Sequence, residues 1–66
     1  MRILLNGEQA DTQSAATVAE LVDRYNLLPQ SVLIERNGIA LHKREWPHTT
    51  LREGDRIEII RVVAGG

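Results

Sequence analysis

The sequence has no cysteine and no phenylalanine, and it holds one tryptophan, one tyrosine and two prolines. Without cysteine, disulfides and thiolate metal sites are excluded. A small fold that cannot be stapled must be held by an apolar core. The 42% of hydrophobic residues can build one, and with so few rings it must be mainly aliphatic. Long hydrophobic runs are also absent: none approaches the ~20 residues of a membrane span. The first apolar stretch, Ile3-Leu4-Leu5, stops at Asn6-Gly7 and is too short for a signal-peptide core. The expected location is therefore cytoplasmic, with no membrane partner. No sign of charge dominates: the formal net charge is −1, with Lys/Arg and Asp/Glu interspersed. There is no basic stripe with aromatic partners, so no nucleic-acid partner is expected. Length is short too. The 66 residues make a single domain, 1–66, with little room for an enclosed active site, which argues against a stand-alone enzyme. No phosphate loop is present, because Gly54 is isolated. No bound cofactor is expected.

What is present reads as alternating short elements. Arg2 to Leu5 forms a strand that Asn6-Gly7 turns, since both positions tolerate positive φ. A polar return strand covers roughly Glu8 to Thr12 and belongs at an edge. Thr17 is a suitable helix N-cap, and Glu20 three residues on completes a capping box. Val18, Leu21, Val22 and Tyr25 then share one helical face. Asn26 suits the end of that helix, and Pro29 blocks its continuation. Val32 to Arg36 is a further strand, turned by Asn37-Gly38 into a short Ile39–Leu41 strand. His42 to Glu45 reads as a charged loop that Trp46-Pro47 closes, with Trp46 capping the core or lying on its rim. A turn at Leu51 to Asp55, with Gly54 supplying an unusual backbone angle, leads into the last strand, Arg56 to Val62. The fold class is α+β, a mixed sheet of about five strands in two layers with one main helix. The first and last strands are the most apolar and are placed side by side at the sheet centre. The helix between them in sequence permits a parallel pairing.

Period-two alternation separates the two faces of that sheet. Ile3, Leu5, Val32, Ile34, Ile57 and Ile59 can all meet the helix. Leu4, Ile60 and Val62 then point away from it, with Leu33 a further candidate. An open sheet face is normally polar, so aliphatic side chains there suggest a partner-docking surface; the plain alternative is the ordinary scatter of single exposed aliphatics. Arg61, close to the end of the chain, is added to Leu4, Ile60 and Val62 as a partner-binding residue.

Beyond Val62 the sequence continues Val63-Ala64-Gly65-Gly66. Glycines without side chains have little to pack, so a flexible tail at about 63–66 is expected. Such a tail could extend about 13 Å past the last strand at ~3.3 Å per residue and thread a cleft too narrow for other residues. The plain alternative is a frayed end. Other candidate sites are weaker. His42 and His48 have no third ligand, so no metal site is expected. His42-Lys43-Arg44 is a small basic run of the kind that usually faces solvent. Thr49 and Thr50 have no neighbouring base and read as turn residues, so no catalytic residue is assigned.

Taken together, Asn6-Gly7, the helix start Thr17-Val18-Ala19-Glu20-Leu21, Asn37-Gly38, Trp46, Gly54-Asp55-Arg56-Ile57-Glu58-Ile59 and the terminal Val63-Ala64-Gly65-Gly66 resemble the ubiquitin-like sulfur carriers, above all the ThiS family of thiamin biosynthesis. The resemblance spans essentially the whole chain. One departure precedes Trp46: family members often carry a Val-Pro-Arg-like run where this chain has Leu41-His42-Lys43, so the loop there is expected to differ in shape. The resemblance implies a β-grasp fold. It implies that a separate ThiF-like enzyme adenylates the Gly66 carboxylate with ATP, and that sulfur from cysteine, delivered through a cysteine desulfurase, displaces AMP. The resulting thiocarboxylate would pass its sulfur to a ThiG-like thiazole synthase. On this reading Val63, Ala64, Gly65 and Gly66 enter the partner's active site. The same tail would also serve a carrier for molybdopterin or tRNA thiolation, or a ubiquitin-like protein modifier.

Overall fold

The computed structural model describes residues 1–62. The elements run β1 (Arg2–Leu5), β2 (Glu8–Asp11), α1 (Val18–Arg24), a 3-10 turn at Pro29–Ser31, β3 (Val32–Arg36), β4 (Ile39–Leu41), a second 3-10 turn at Lys43–His48, and β5 (Arg56–Arg61). They form one five-stranded sheet in the order β2-β1-β5-β3-β4, with α1 across one face. As alternation and apolarity suggested, β1 and β5 are neighbours and run parallel, with Leu4 opposite Arg56 and Leu5 opposite Ile57. The other pairings are antiparallel.

The two hairpins have one cause. Asn6 and Gly7 take φ of 51° and 85°, and Asn37 and Gly38 take 52° and 85°. Positive φ at both central residues is the type I′ turn, whose twist matches that of the flanking strands. Gly54 also has positive φ, at 83°, in the turn that enters β5.

The helix begins at the expected cap. Thr17 is extended, and its hydroxyl accepts from the Glu20 N–H at 3.2 Å. The return half of the capping box is displaced: the Glu20 carboxylate accepts from the N–H of Ala16, one residue before the cap, at 2.8 Å. The helix ends at Arg24, so Tyr25 lies just outside it as the C-cap. Its ring still packs on the core, and its O–H donates to the Asp11 carbonyl at 2.8 Å, tying the helix end to the end of β2. Asn26 then leaves the helix with φ of 55°, the left-handed exit that asparagine tolerates.

The segment read as a charged loop is the main correction. Lys43–His48 is a 3-10 turn. The His42 N–H donates to the Glu45 carboxylate at 2.7 Å, and the Glu45 N–H donates to the His42 carbonyl at 2.8 Å. Glu45 thus caps the turn from three residues inside it. The turn packs against α1 and drives Trp46 into the core, where the ring is 4% exposed and not on the rim. The return strand β2 also stops at Asp11: the Thr12 N–H still donates to the Met1 carbonyl at 2.9 Å, and the chain then turns through Gln13 and Ser14, whose φ are 56° and 66°.

The core lies between sheet and helix. Ile3, Val32, Ile34 and Ile57 enter from the sheet, Val18, Leu21 and Val22 from α1, and Ala15, Trp46 and Leu51 from connecting segments. Leu5, Leu41 and Ile59 flank it half-buried. The helix-facing set read from alternation is thus the set observed.

Candidate functional site

Of the residues expected to bind a partner, Ile60, Arg61 and Val62 lie at one end of β5 and Leu4 lies beside its start. The end is fixed first. β5 is the central strand, and the Val62 N–H donates to the Ser31 carbonyl at 2.8 Å. The chain therefore leaves the sheet beside the Pro29–Ser31 turn. Val63, Ala64, Gly65 and Gly66, the tail residues expected to enter a partner, lie outside the described residues.

On the open face, Leu33 and Ile60 stand directly opposite each other across β3 and β5. They are 56% and 46% exposed, and Val62, further along β5 on the same side, is 46% exposed. These aliphatic groups form a patch that runs to the chain exit. Leu4 is on the same face but pairs with Arg56, four positions from Ile60. That is about 13 Å along the strand, so Leu4 is separate from the patch. Between them lies an acidic pair, Glu35 opposite Glu58. Register, which alternation cannot supply, splits the expected cluster in this way and promotes Leu33 to its centre.

Arg61 lies elsewhere. It pairs with buried Val32 and so faces the helix side. There it lines a groove of about 240 Å³ with Asn26, Leu27, Leu28, Ser31 and Val32. Leu28, 62% exposed, gives this groove an apolar wall. Leu27 and Leu28 were not singled out in the sequence. Their signal is two adjacent leucines between a helix-ending Asn26 and Pro29, outside any helical period. Chain exit, apolar patch and groove thus surround the same end of β5, on its two sides.

The strand that carries the exit is held from below. Asn6, in the first turn, accepts the Ile59 N–H on its side-chain oxygen at 2.7 Å, where β1 has already ended. At the start of β5, Asp55 is buried and accepts from Arg36 Nε at 2.9 Å, Asn37 Nδ2 at 3.1 Å and the Arg52 N–H at 2.9 Å. Burial pushes the Asp55 carboxyl up, but the donors from Arg36, Arg52 and Asn37 outweigh it and hold the group below its ordinary range. Asp55 is a structural anchor at the end of β5 opposite the exit.

Among the described residues there is no cluster of His, Asp or Glu suited to a metal ion, and His42 and His48 stand at the two ends of the Lys43–His48 turn. Among the same residues no helix is long and apolar enough to cross a membrane. Thr49 donates its hydroxyl to the Glu45 carbonyl at 2.7 Å, the turn role expected for it.

Comparison with known proteins agrees with this geometry. The model of the ThiS family matches residues 3–66. The sulfur carrier protein ThiS of Escherichia coli is 26% identical over 66 residues, covering 100% of both chains. A crystal structure of a thiamine biosynthesis protein, ThiS, from Geobacter metallireducens superposes with a TM-score of 0.82 at 28% identity, again covering 100% of both chains, so the fold is the β-grasp. A thiazole synthase of Magnetococcus marinus is 30% identical over 66 residues, and the chain spans 20% of that relative's length.

Proposed function

The chain belongs to the ThiS family, the sulfur carriers of thiamin biosynthesis, and on that premise we propose that Gly66 is the atom-carrying end of a cycle run by other proteins. The observation that carries the reading is the family match, which runs through the whole β-grasp domain and on to Gly66. A carboxylate is a poor electrophile. In the proposed cycle a ThiF-like enzyme lets the Gly66 carboxylate attack the α-phosphorus of ATP, releasing pyrophosphate and leaving an acyl adenylate. Sulfur taken from cysteine by a cysteine desulfurase, and brought to the sulfide level by a thiol reductant, attacks the acyl carbon and expels AMP. The product is a thiocarboxylate, ionised at neutral pH and nucleophilic, that stays attached to a protein and does not diffuse away as sulfide.

The sulfur is then given to a ThiG-like thiazole synthase. Support for that receiver comes from the thiazole synthase of Magnetococcus marinus, one stretch of which resembles the whole of this chain. The chain's own part is presentation. Val63, Ala64 and Gly65 form the thread that reaches the partner's active site. Leu33, Ile60 and Val62 form the docking patch at its root, with Leu4 and Arg61 as outlying contacts. The absence of cysteine suits the role, since no internal thiol can intercept the acyl adenylate.

The adenylation step is tested by pyrophosphate exchange. With a ThiF-like enzyme and ATP, the full chain supports exchange of labelled pyrophosphate into ATP, and a chain lacking Gly66 does not. Equal exchange with and without Gly66 contradicts the proposal.

A further inference from the structure

The open sheet face carries a feature that its apolar patch does not explain. Glu35 and Glu58 are direct partners in the β3–β5 register, on the same face as Leu33 and Ile60 and in the adjacent row. Directly opposed residues in an antiparallel pair have Cβ atoms about 5 Å apart, and like charges so placed destabilise the sheet. Among the described residues neither carboxylate takes part in an ion pair or a side-chain hydrogen bond. The nearest cation by register is Arg56, two positions along the same strand and the same face, and it forms no ion pair there. The two carboxylates therefore stand opposite each other on neighbouring strands, next to exposed aliphatic groups, and among the described residues neither is paired with Arg56 or any other cation.

We propose that this face is built for a basic side chain of the partner, an arginine or lysine whose head enters between Glu35 and Glu58 while its stem lies over Leu33 and Ile60. The inference rests on the docking patch described above and deepens it. The fit is one of chemistry. Long basic side chains cover apolar surface with their methylenes and keep the charge at the tip. Two carboxylates at cross-strand spacing offer several acceptor oxygens to a guanidinium fork. A partner cation would also remove the repulsion that the free sheet bears, so part of the binding free energy comes from relief of an existing cost. The occupant is thus a protein surface that sets a cation beside an apolar patch, and the thiazole synthase is the receiver proposed to present it.

The test measures binding of the full chain to the thiazole synthase of the same organism at low and at high salt. The Glu35→Gln/Glu58→Gln double variant is expected to bind about tenfold more weakly at low salt, with a flatter salt dependence. Its melting temperature should equal or exceed that of the parent. Glu58→Lys separates folding from binding more sharply. It creates an opposite-charge pair with Glu35, which should raise the melting temperature, while it repels the incoming cation and should weaken binding further. If the double variant and Glu58→Lys keep the parent's affinity and salt dependence while Ile60→Asp still prevents binding, the face docks without a cation and the inference is overturned. If Ile60→Asp also binds as the parent does, the docking patch itself fails. A loss seen only with the adenylating enzyme, and not with the thiazole synthase, overturns the assignment of the occupant.

Discussion

At the scale of single residues, Asp55 shows how a small cysteine-free fold is fastened. Its carboxylate joins three segments, through Arg36 in β3, Asn37 in the second hairpin turn and the Arg52 N–H in the last turn. Breaking a part-buried pair leaves the other charge without its partner. Asp55→Ala should therefore cost about 2–3 kcal/mol in chemical denaturation. The pH dependence follows from the direction of the shift. The folded-state pKa lies below the unfolded value of 3.8, so the native state favours the ionised form. The stabilisation is complete above that unfolded value and is lost as pH falls through the lower folded value. An acid titration of the parent should show this loss, and Asp55→Asn should flatten it. Thr12 makes the opposite case. It is buried, and its hydroxyl has no hydrogen-bond partner among the described residues. Thr12→Val keeps the shape and removes the unsatisfied group, so it should stabilise the fold by about 1 kcal/mol, read as a rise in melting temperature. Neither role was legible in the sequence. Asp55 resembles any turn aspartate until the register brings Arg36 and Asn37 to it, and Thr12 looked like the end of a polar strand.

At the scale of elements, legibility followed the kind of signal. The Asn6-Gly7 and Asn37-Gly38 hairpins were readable because the turn demands positive φ at two residues and few pairs accept it. The helix was readable from its cap and spacing. Thr17→Ala should remove the hydroxyl that accepts the Glu20 N–H and cost about 1 kcal/mol in thermal or chemical melts. The Lys43–His48 turn was not readable. Its anchor is a Glu45 side chain reaching back to the His42 backbone, and the histidine is not a recognised capping residue, so the pattern passed for charged loop. That misreading carried the placement of Trp46 with it, since only a turned segment brings the ring under α1. Strand faces were legible from period-two alternation, but register was not. Alternation assigned Leu4, Ile60 and Val62 to the open face, whereas hydrogen-bond register sets Leu4 beside Arg56 and Leu33 beside Ile60. The grouping of side chains into a patch lives at this level and had to be seen.

At the scale of the whole molecule, the fold gives the two faces of its sheet different surfaces. One face of the sheet is spent on α1 and the core, and the other carries an exposed apolar patch that leads to the chain exit. Central placement of β5 means that the strand bearing the exit is paired with β3 along its length and with β1 at its start. Because Ile60 is exposed and outside the core, Ile60→Asp should leave the chain folded and cost about 1 kcal/mol of stability or less. It should nevertheless weaken partner binding by tenfold or more, as measured by calorimetric titration. A variant that unfolds, or one that binds unchanged, would contradict the division of the sheet into a core face and a docking face. The central claim concerns Gly66, and intact-mass measurement addresses it most directly. The full chain is incubated with a ThiF-like enzyme, ATP, cysteine, a cysteine desulfurase and a thiol reductant, and then weighed against the untreated chain. The account predicts a mass increase equal to exchange of one oxygen for sulfur, confined to the C-terminal fragment and absent when Gly66 is deleted. An unchanged mass in the presence of active enzymes, or a sulfur atom found anywhere but on Gly66, would contradict it.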